Sequence, residues 1–216
     1  KRAIAAGFTD IEIDLQITRD DVLVLSHEPV WVDGNGASHK IATMTAHELF
    51  AMNPQIVRLD RVLQLFGSDV HWHLEAKPQN PMERTSAMAR ALSRAIAQAH
   101  LRRQPIVDSF QISLITSLQG QCACDLAWDA PFQQPLNQGL LRAARGAGAQ
   151  WVYVEASALT SSAIQQAHAL GIRVAAYTIN DLAELSRLLP DLPDAVITDR
   201  SDLVSEFKQW RAATPR

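Results

Sequence analysis

The chain has 216 residues, 47% of them apolar and 20% charged, which fits one soluble globular domain with a single core and excludes disorder, collagen and coiled coil. Twenty Lys and Arg are interspersed with 23 Asp and Glu for a net charge of −3, so the basic stripe of a nucleic-acid binder is absent and no nucleic acid is expected as a partner. No apolar run approaches the roughly 20 residues that cross a bilayer, and no membrane span is expected.

Residues 1–7, Lys-Arg-Ala-Ile-Ala-Ala-Gly, read as the last turns of a helix. A β-branched run then predicts a strand over 10–15. The connection from 16–21 through Asp20-Asp21 to the apolar run 22–25 is too short for a parallel crossover, so this is a hairpin. Asp33-Gly34-Asn35-Gly36 marks a loop and 45–52 a short helix, which makes residues about 27–55 an insertion above the strand end. Further strands are predicted over 70–77, 106–110, 126–129, 151–155, 174–179 and 195–198.

Helices fill the intervals. Met88, Leu92 and Ile96 recur every four residues, continued by Ala95 and Ala99, a stripe that packs on the sheet. Thr160 can cap a helix running to Gly171, and Asn180 one ended by Pro190. The only cysteines, Cys122 and Cys124, offer neither a disulfide framework nor a zinc site. They read as a packing pair in a reducing, cytoplasmic compartment.

This alternation defines an α/β chain. Repeating βα units after a severed helix predict a (β/α)8 TIM barrel, normally about 250 residues, whose first strand lies upstream of residue 1. Residues 1–216 read as one barrel domain carrying the hairpin and the small insertion.

Strand parity locates the chemistry. Glu12 and Asp14 leave one face of their strand while Ile11, Ile13 and Leu15 take the other. On the next barrel strand His71, His73, Glu75 and Lys77 share one face, with Glu75 and Lys77 last. Three carboxylates at a strand end suit a hard divalent cation, and Lys77 beside them suits an anionic oxygen such as that of a phosphate. His27, at the end of the hairpin, can reach the mouth above the acids as a proton-transfer group. His71-x-His73 raises a rival: a zinc-dependent, amidohydrolase-like enzyme with both histidines and Glu75 on one metal. Trp128 and Asp129, ending another strand, can also reach the pocket.

Glu12-Ile-Asp14, then Thr18, Asp20-Asp21 and Val22 to His27-Glu28, resemble the signature of the glycerophosphodiester phosphodiesterase family. Leu74-Glu75-Ala76-Lys77-Pro78, Ser109-Phe110, Tyr177-Thr178-Ile179-Asn180 and Asp194-Ala195-Val196-Ile197-Thr198-Asp199 resemble its remaining strand-end motifs, in order and across nearly the whole chain. The resemblance implies a distorted barrel that hydrolyses small-molecule glycerophosphodiesters to glycerol 3-phosphate and an alcohol with one divalent cation, Mg2+ or Ca2+.

By position, Glu12, Asp14 and Glu75 match the metal carboxylates, Lys77 the phosphate-proximal lysine, and His27 one of two catalytic histidines. Tyr177 stands where many members have Trp and, with Ser109 and Phe110, shapes the substrate pocket. The other histidine, in a His-Arg-Gly motif followed by Glu-Asn-Thr, has no counterpart in residues 1–216 and is expected to precede Lys1. Its absence sets up the alternative of a non-catalytic, phosphodiesterase-like barrel.

Overall fold

The computed structural model describes residues 2–67 and 69–213. After the short helix Arg2–Ala5, β1 (Asp10–Ile17) turns back at Asp21, whose φ of 62° is left-handed, into β2 (Leu23–Leu25). The two pair antiparallel, Leu15 with Leu25 and Ile17 with Leu23, so the expected hairpin is present.

The insertion contains a second hairpin, β3 (Val30–Val32) and β4 (Ser38–Lys40), for which Asp33 to Gly36 is the turn rather than an open loop. Asp33 Oδ1 accepts from the amides of Asn35 and Ala37, and Trp31 stacks on His39 across the pair. The helix Ala46–Met52 begins with a reciprocal cap between Thr45 and Glu48. Val24, Ile41 and Leu49 give this segment a small core of its own.

Beyond the helix Leu59–Phe66, strands alternate with helices: β5 (His71–Ala76), β6 (Ile106–Ser109), β7 (Asp125–Asp129), β8 (Trp151–Glu155), β9 (Arg173–Tyr177) and β10 (Ala195–Val196). All are parallel, and their order in the sheet, β2-β1-β5-β6-β7-β8-β9-β10, follows the chain because each connection returns to the adjacent edge.

Alternation sorts the side chains into two layers. Trp72, Leu74, Val107, Leu126, Val152, Val154 and Val174 face outward and are buried with Met88, Leu92 and Ile96 of the helix Met82–Ala99, whose stripe packs as its spacing predicts. Ile106, Ala127, Trp151, Tyr153 and Ala175 face inward and form a separate cluster. Glu12 on β1, His73 on β5, Ile106 on β6, Trp151 on β8, Arg173 on β9 and Ala195 on β10 all line one cleft of about 720 Å3, so the sheet curls round a common axis. Among the described residues, β1 pairs over residues 10–13 with β5 alone and β10 with β9 alone, and the cleft opens between these edges.

Two local expectations are corrected. Cys122 and Cys124 form a disulfide, their Cα atoms 5.2 Å apart in the turn before β7, within the range a bridge spans. Asn180 does not cap the helix Leu182–Ser186. Its side-chain oxygen accepts from the Thr198 hydroxyl and the Asp199 amide, and Asp181 caps instead by accepting from the Ala183 amide.

Candidate active site

The parallel register of β1 and β5 sets Asp14 opposite Glu75 and Glu12 opposite His73. Lys77 follows directly, its amide donating to the Leu15 carbonyl, so β5 ends with a lysine over the acids. Its Nζ donates to Asp14 at 2.6 Å and to Glu75 at 2.5 Å. One oxygen from each of Glu12, Asp14 and Glu75 lies within 4.8 Å of the other two. Glu12 Oε1 is buried and has no hydrogen-bond partner.

Burial, and then the negative charges of Asp14 and Glu75, push the Glu12 carboxyl up to about 8. Burial likewise raises Glu75, against the pull of Lys77. Burial opposes the Lys77 ammonium, but its hydrogen bonds to Asp14 and Glu75 outweigh that and raise it. An orphaned carboxylate oxygen beside two more carboxylates, with one ammonium among them, is the donor set of a hard divalent cation, and the residues fit one.

Two further acids line the same inward face. Asp108 on β6 is the register neighbour of Glu75, and Asp129 on β7 shares the inward parity. They are 2% and 3% exposed, and each has a carboxylate oxygen without a partner. Burial holds both far above the ordinary carboxylate range, reinforced for Asp108 by Asp129 and for Asp129 by Glu75. Asp108 was readable in the sequence by its parity with Phe110, two residues on. Trp128, by contrast, belongs to the outer core, its indole donating to the Phe110 carbonyl.

At the strand ends Phe110 and Tyr177 meet edge to face with ring centroids 6.4 Å apart. The Tyr177 hydroxyl is buried without a partner, and burial raises the phenol. Ser109 does not line the pocket. Its hydroxyl donates to the Ala76 carbonyl at 2.6 Å and accepts from the Gln111 amide, tying the ends of β5 and β6 together.

His27 is set beside β1 by the Ser26 amide, which donates to the Asp14 carbonyl. Its ring is 69% exposed and contacts Glu28, Nδ1 to Oε1 at 2.8 Å, rather than the carboxylate group. A buried amide chain that the sequence did not disclose supports this corner: Gln79 donates to Gln16 and Gln16 to the His27 carbonyl. His71 and His73 do not converge with Glu75 on one metal. They gather round Asp10 at the other end of the strands, so the zinc arrangement with Glu75 is not formed.

The sequence matches the model of the Glycerophosphoryl diester phosphodiesterase family over residues 1–203. Among curated proteins no significant match is found. Solved structures similar in fold include the following three. A glycerophosphodiester phosphodiesterase from Thermotoga maritima is 20% identical with a TM-score of 0.75, covering 95% of this chain and 88% of its own. One from Parabacteroides distasonis is 17% identical with a TM-score of 0.79, covering 97% and 87%. A phosphodiesterase from Oleispira antarctica, solved with the product sn-glycerol-3-phosphate, is 17% identical with a TM-score of 0.79, covering 96% and 89%.

Proposed function

The chain belongs to the glycerophosphoryl diester phosphodiesterase family, whose metal-dependent reaction is hydrolysis of glycerophosphodiesters, and from that premise we propose how its residues divide the work. Glu12, Asp14 and Glu75 hold the divalent cation, Mg2+ or Ca2+ in keeping with their oxygen-only donors. When bound, the ion draws negative charge from a phosphoryl oxygen. Lys77, which reaches Asp14 and Glu75 in the metal-free chain, would donate to a phosphoryl oxygen of the substrate. Phe110 and Tyr177 wall the glycerol or alcohol end, where the Tyr177 hydroxyl, without a protein partner, supplies a hydrogen bond to the ligand.

His27 carries a proton. Glu28 accepts from its Nδ1–H, which leaves the Nε2 lone pair free for the reacting oxygen. In the overall reaction the phosphorus–oxygen bond to the alcohol breaks, water supplies hydroxide to phosphorus, and the alkoxide leaves with a proton. Glycerophosphodiesters are deacylated phospholipids, so the reaction serves lipid and glycerol metabolism. The Cys122–Cys124 disulfide removes the reducing compartment as an argument for a cytoplasmic placement.

The observation that carries this reading is the convergence of Glu12, Asp14 and Glu75 around one ammonium with a buried oxygen left over. The test is release of glycerol 3-phosphate from glycerophosphocholine and glycerophosphoethanolamine in Mg2+ or Ca2+. Glu75→Gln is expected to lower kcat by roughly 10²–10³-fold. Undiminished turnover in that variant would remove the acids from the reaction. The non-catalytic reading has one observation in its favour, the exposed His27 ring paired with Glu28. It predicts cation binding that depends on Glu75 with no release of glycerol 3-phosphate.

A further inference from the structure

Asp10, His71 and His73 meet at the opposite end of the strands from Lys77, and the reaction above does not use them. We infer that they form a second metal site, selective for a nitrogen-preferring divalent transition ion such as Zn2+ or Co2+, that clamps the start of β1 to β5. The register sets Asp10 beside His71, and His73 follows two residues on, on the same face. His71 Nδ1 lies 2.8 Å and His73 Nε2 3.7 Å from Asp10 Oδ1, and the ligand atoms fall within 4.8 Å of one another. At bonds of about 2.0–2.1 Å these separations subtend roughly 90° and 130° at a common ion, angles that a four- or five-coordinate site accepts.

The far side of each ligand is already held. His71 Nε2 donates to the Gln104 carbonyl at 2.8 Å, which holds the ring with its Nδ1 edge toward Asp10. His73 Nδ1 is hydrogen-bonded to the buried Tyr153 hydroxyl, which leaves Nε2 for the ion. Thr9 donates to the other Asp10 oxygen at 2.8 Å. This outer ring of partners is what orients imidazole and carboxylate on a metal. In the metal-free chain His71 Nδ1 is hydrogen-bonded to Asp10 Oδ1 at 2.8 Å, and a divalent ion that takes the place of that hydrogen bond ligates both imidazoles and the carboxylate at once. The competing cation, Arg103, is 3.7 Å from Asp10 on a side chain 57% exposed, so it is displaced at little cost.

Two imidazoles and a carboxylate favour Zn2+ or Co2+ over Mg2+ or Ca2+, and the oxygen-only set at the other end has the reverse preference. His73 lies two residues, roughly 7 Å along the strand, from Glu75, and Asp10 the same from Glu12, so the two sets are neighbours that share no ligand. Asp10 and both histidines line the cleft.

Titrating the full chain with Co2+ in excess Mg2+ reads the site directly. The expected result is one equivalent of bound Co2+ with the visible absorption of a nitrogen-ligated ion, bleached by an equivalent of Zn2+. Asp10→Asn and His71→Gln each weaken it by roughly 100-fold or more, and Glu75→Gln leaves it in place. Because a variant here can fail to fold, the unmutated protein supplies the second reading: on adding Co2+, the ring protons of two histidines move out of the diamagnetic NMR range. The proposal is overturned if Co2+ gives neither the absorption nor the shifted histidines, if Glu75→Gln abolishes the band, or if folded Asp10→Asn and His71→Gln proteins retain it.

Discussion

Lys77 carries opposite obligations with and without the cation. In the metal-free chain it is the ammonium that both Asp14 and Glu75 reach, at 2.6 and 2.5 Å, and all three side chains are largely buried. Lys77→Met strips both carboxylates of that partner, and loss of a partner from a buried pair costs about 3–5 kcal/mol. Saturating Mg2+ supplies the missing charge, so the variant's thermal midpoint is expected to be depressed in EDTA and largely restored by Mg2+; a midpoint indifferent to the ion would place the cation elsewhere. Glu12 sets the pH dependence. Its carboxyl is pushed from an ordinary 4.5 up to about 8, so between those values the folded, metal-free protein holds a proton that the unfolded chain has given up. The stability this proton contributes is complete below pH 4.5 and is lost as the pH rises to about 8. A cation on Glu12 must displace it, and titration calorimetry at pH 7 in buffers of different ionisation enthalpy is expected to show about one proton released per ion bound. No release would mean that Glu12 is not a ligand. These residues were legible because strand parity alone gathers Glu12 with Asp14 and Glu75 with Lys77. His27 was legible as a type of group but not as a position, since nothing in its neighbourhood of sequence foretells that its ring turns to Glu28.

At the scale of elements, the joint between the ends of β5 and β6 holds Lys77 and Phe110 in relation to each other. Ser109 makes it with a buried hydroxyl on the Ala76 carbonyl, and Gln111 extends it by bonding the Gln79 backbone and Thr85. Ser109→Ala deletes the hydroxyl and leaves a buried carbonyl short of a donor, at a cost of about 1–3 kcal/mol. Because the joint lies under Phe110 and Lys77, urea denaturation is expected to show the loss together with a raised KM for glycerophosphodiester; an unchanged KM would make the joint purely structural. The βα alternation and the stripe of the helix Met82–Ala99 were readable because burial imposes a period on sequence. The hairpin β3–β4 was not. Val30, Val32, Ser38 and Lys40 are exposed on short strands, so no apolar alternation betrays them, and the Asp33 turn was the one signal available. The cap at Asp181 escaped for a related reason. Asn180 and Asp181 are equally good capping residues, and tertiary bonds to Thr198 and Asp199 decide between them.

Across the whole molecule, pairing in the sheet is uneven, and this makes stability uneven too. β5, β6, β7, β8 and β9 are each bonded on both edges, whereas β1 is bonded on both only from Asp14, whose carbonyl accepts from the Ser26 amide, through Leu15 to Ile17, which β2 covers. Over residues 10–13, and along β10, one edge faces the cleft among the described residues. The strand order that produces this was foreseeable, since parallel crossovers of one hand lay strands side by side in chain order. The consequence for dynamics follows from the pairing: amides bonded on one edge only open by local fluctuation, while those in the middle of the sheet exchange through larger, rarer openings. In a chain of residues 1–216 hydrogen exchange read by mass spectrometry is therefore expected to split β1 within itself, with peptides covering 10–13 exchanging at least roughly tenfold faster than those covering 15–17, and with β10 faster than β6, β7 and β8. Glu12 sits in the fast half and Asp14 at its border. A cation that ties them to Glu75 on the protected β5 should slow 10–13 toward the rate of the central strands and leave β10 where it was. Equal protection of 10–13 and 15–17 in the metal-free chain would show that the cleft edge is covered, and slowing of β10 as well would show that the ion acts on the sheet as a whole rather than through the joint between β1 and β5.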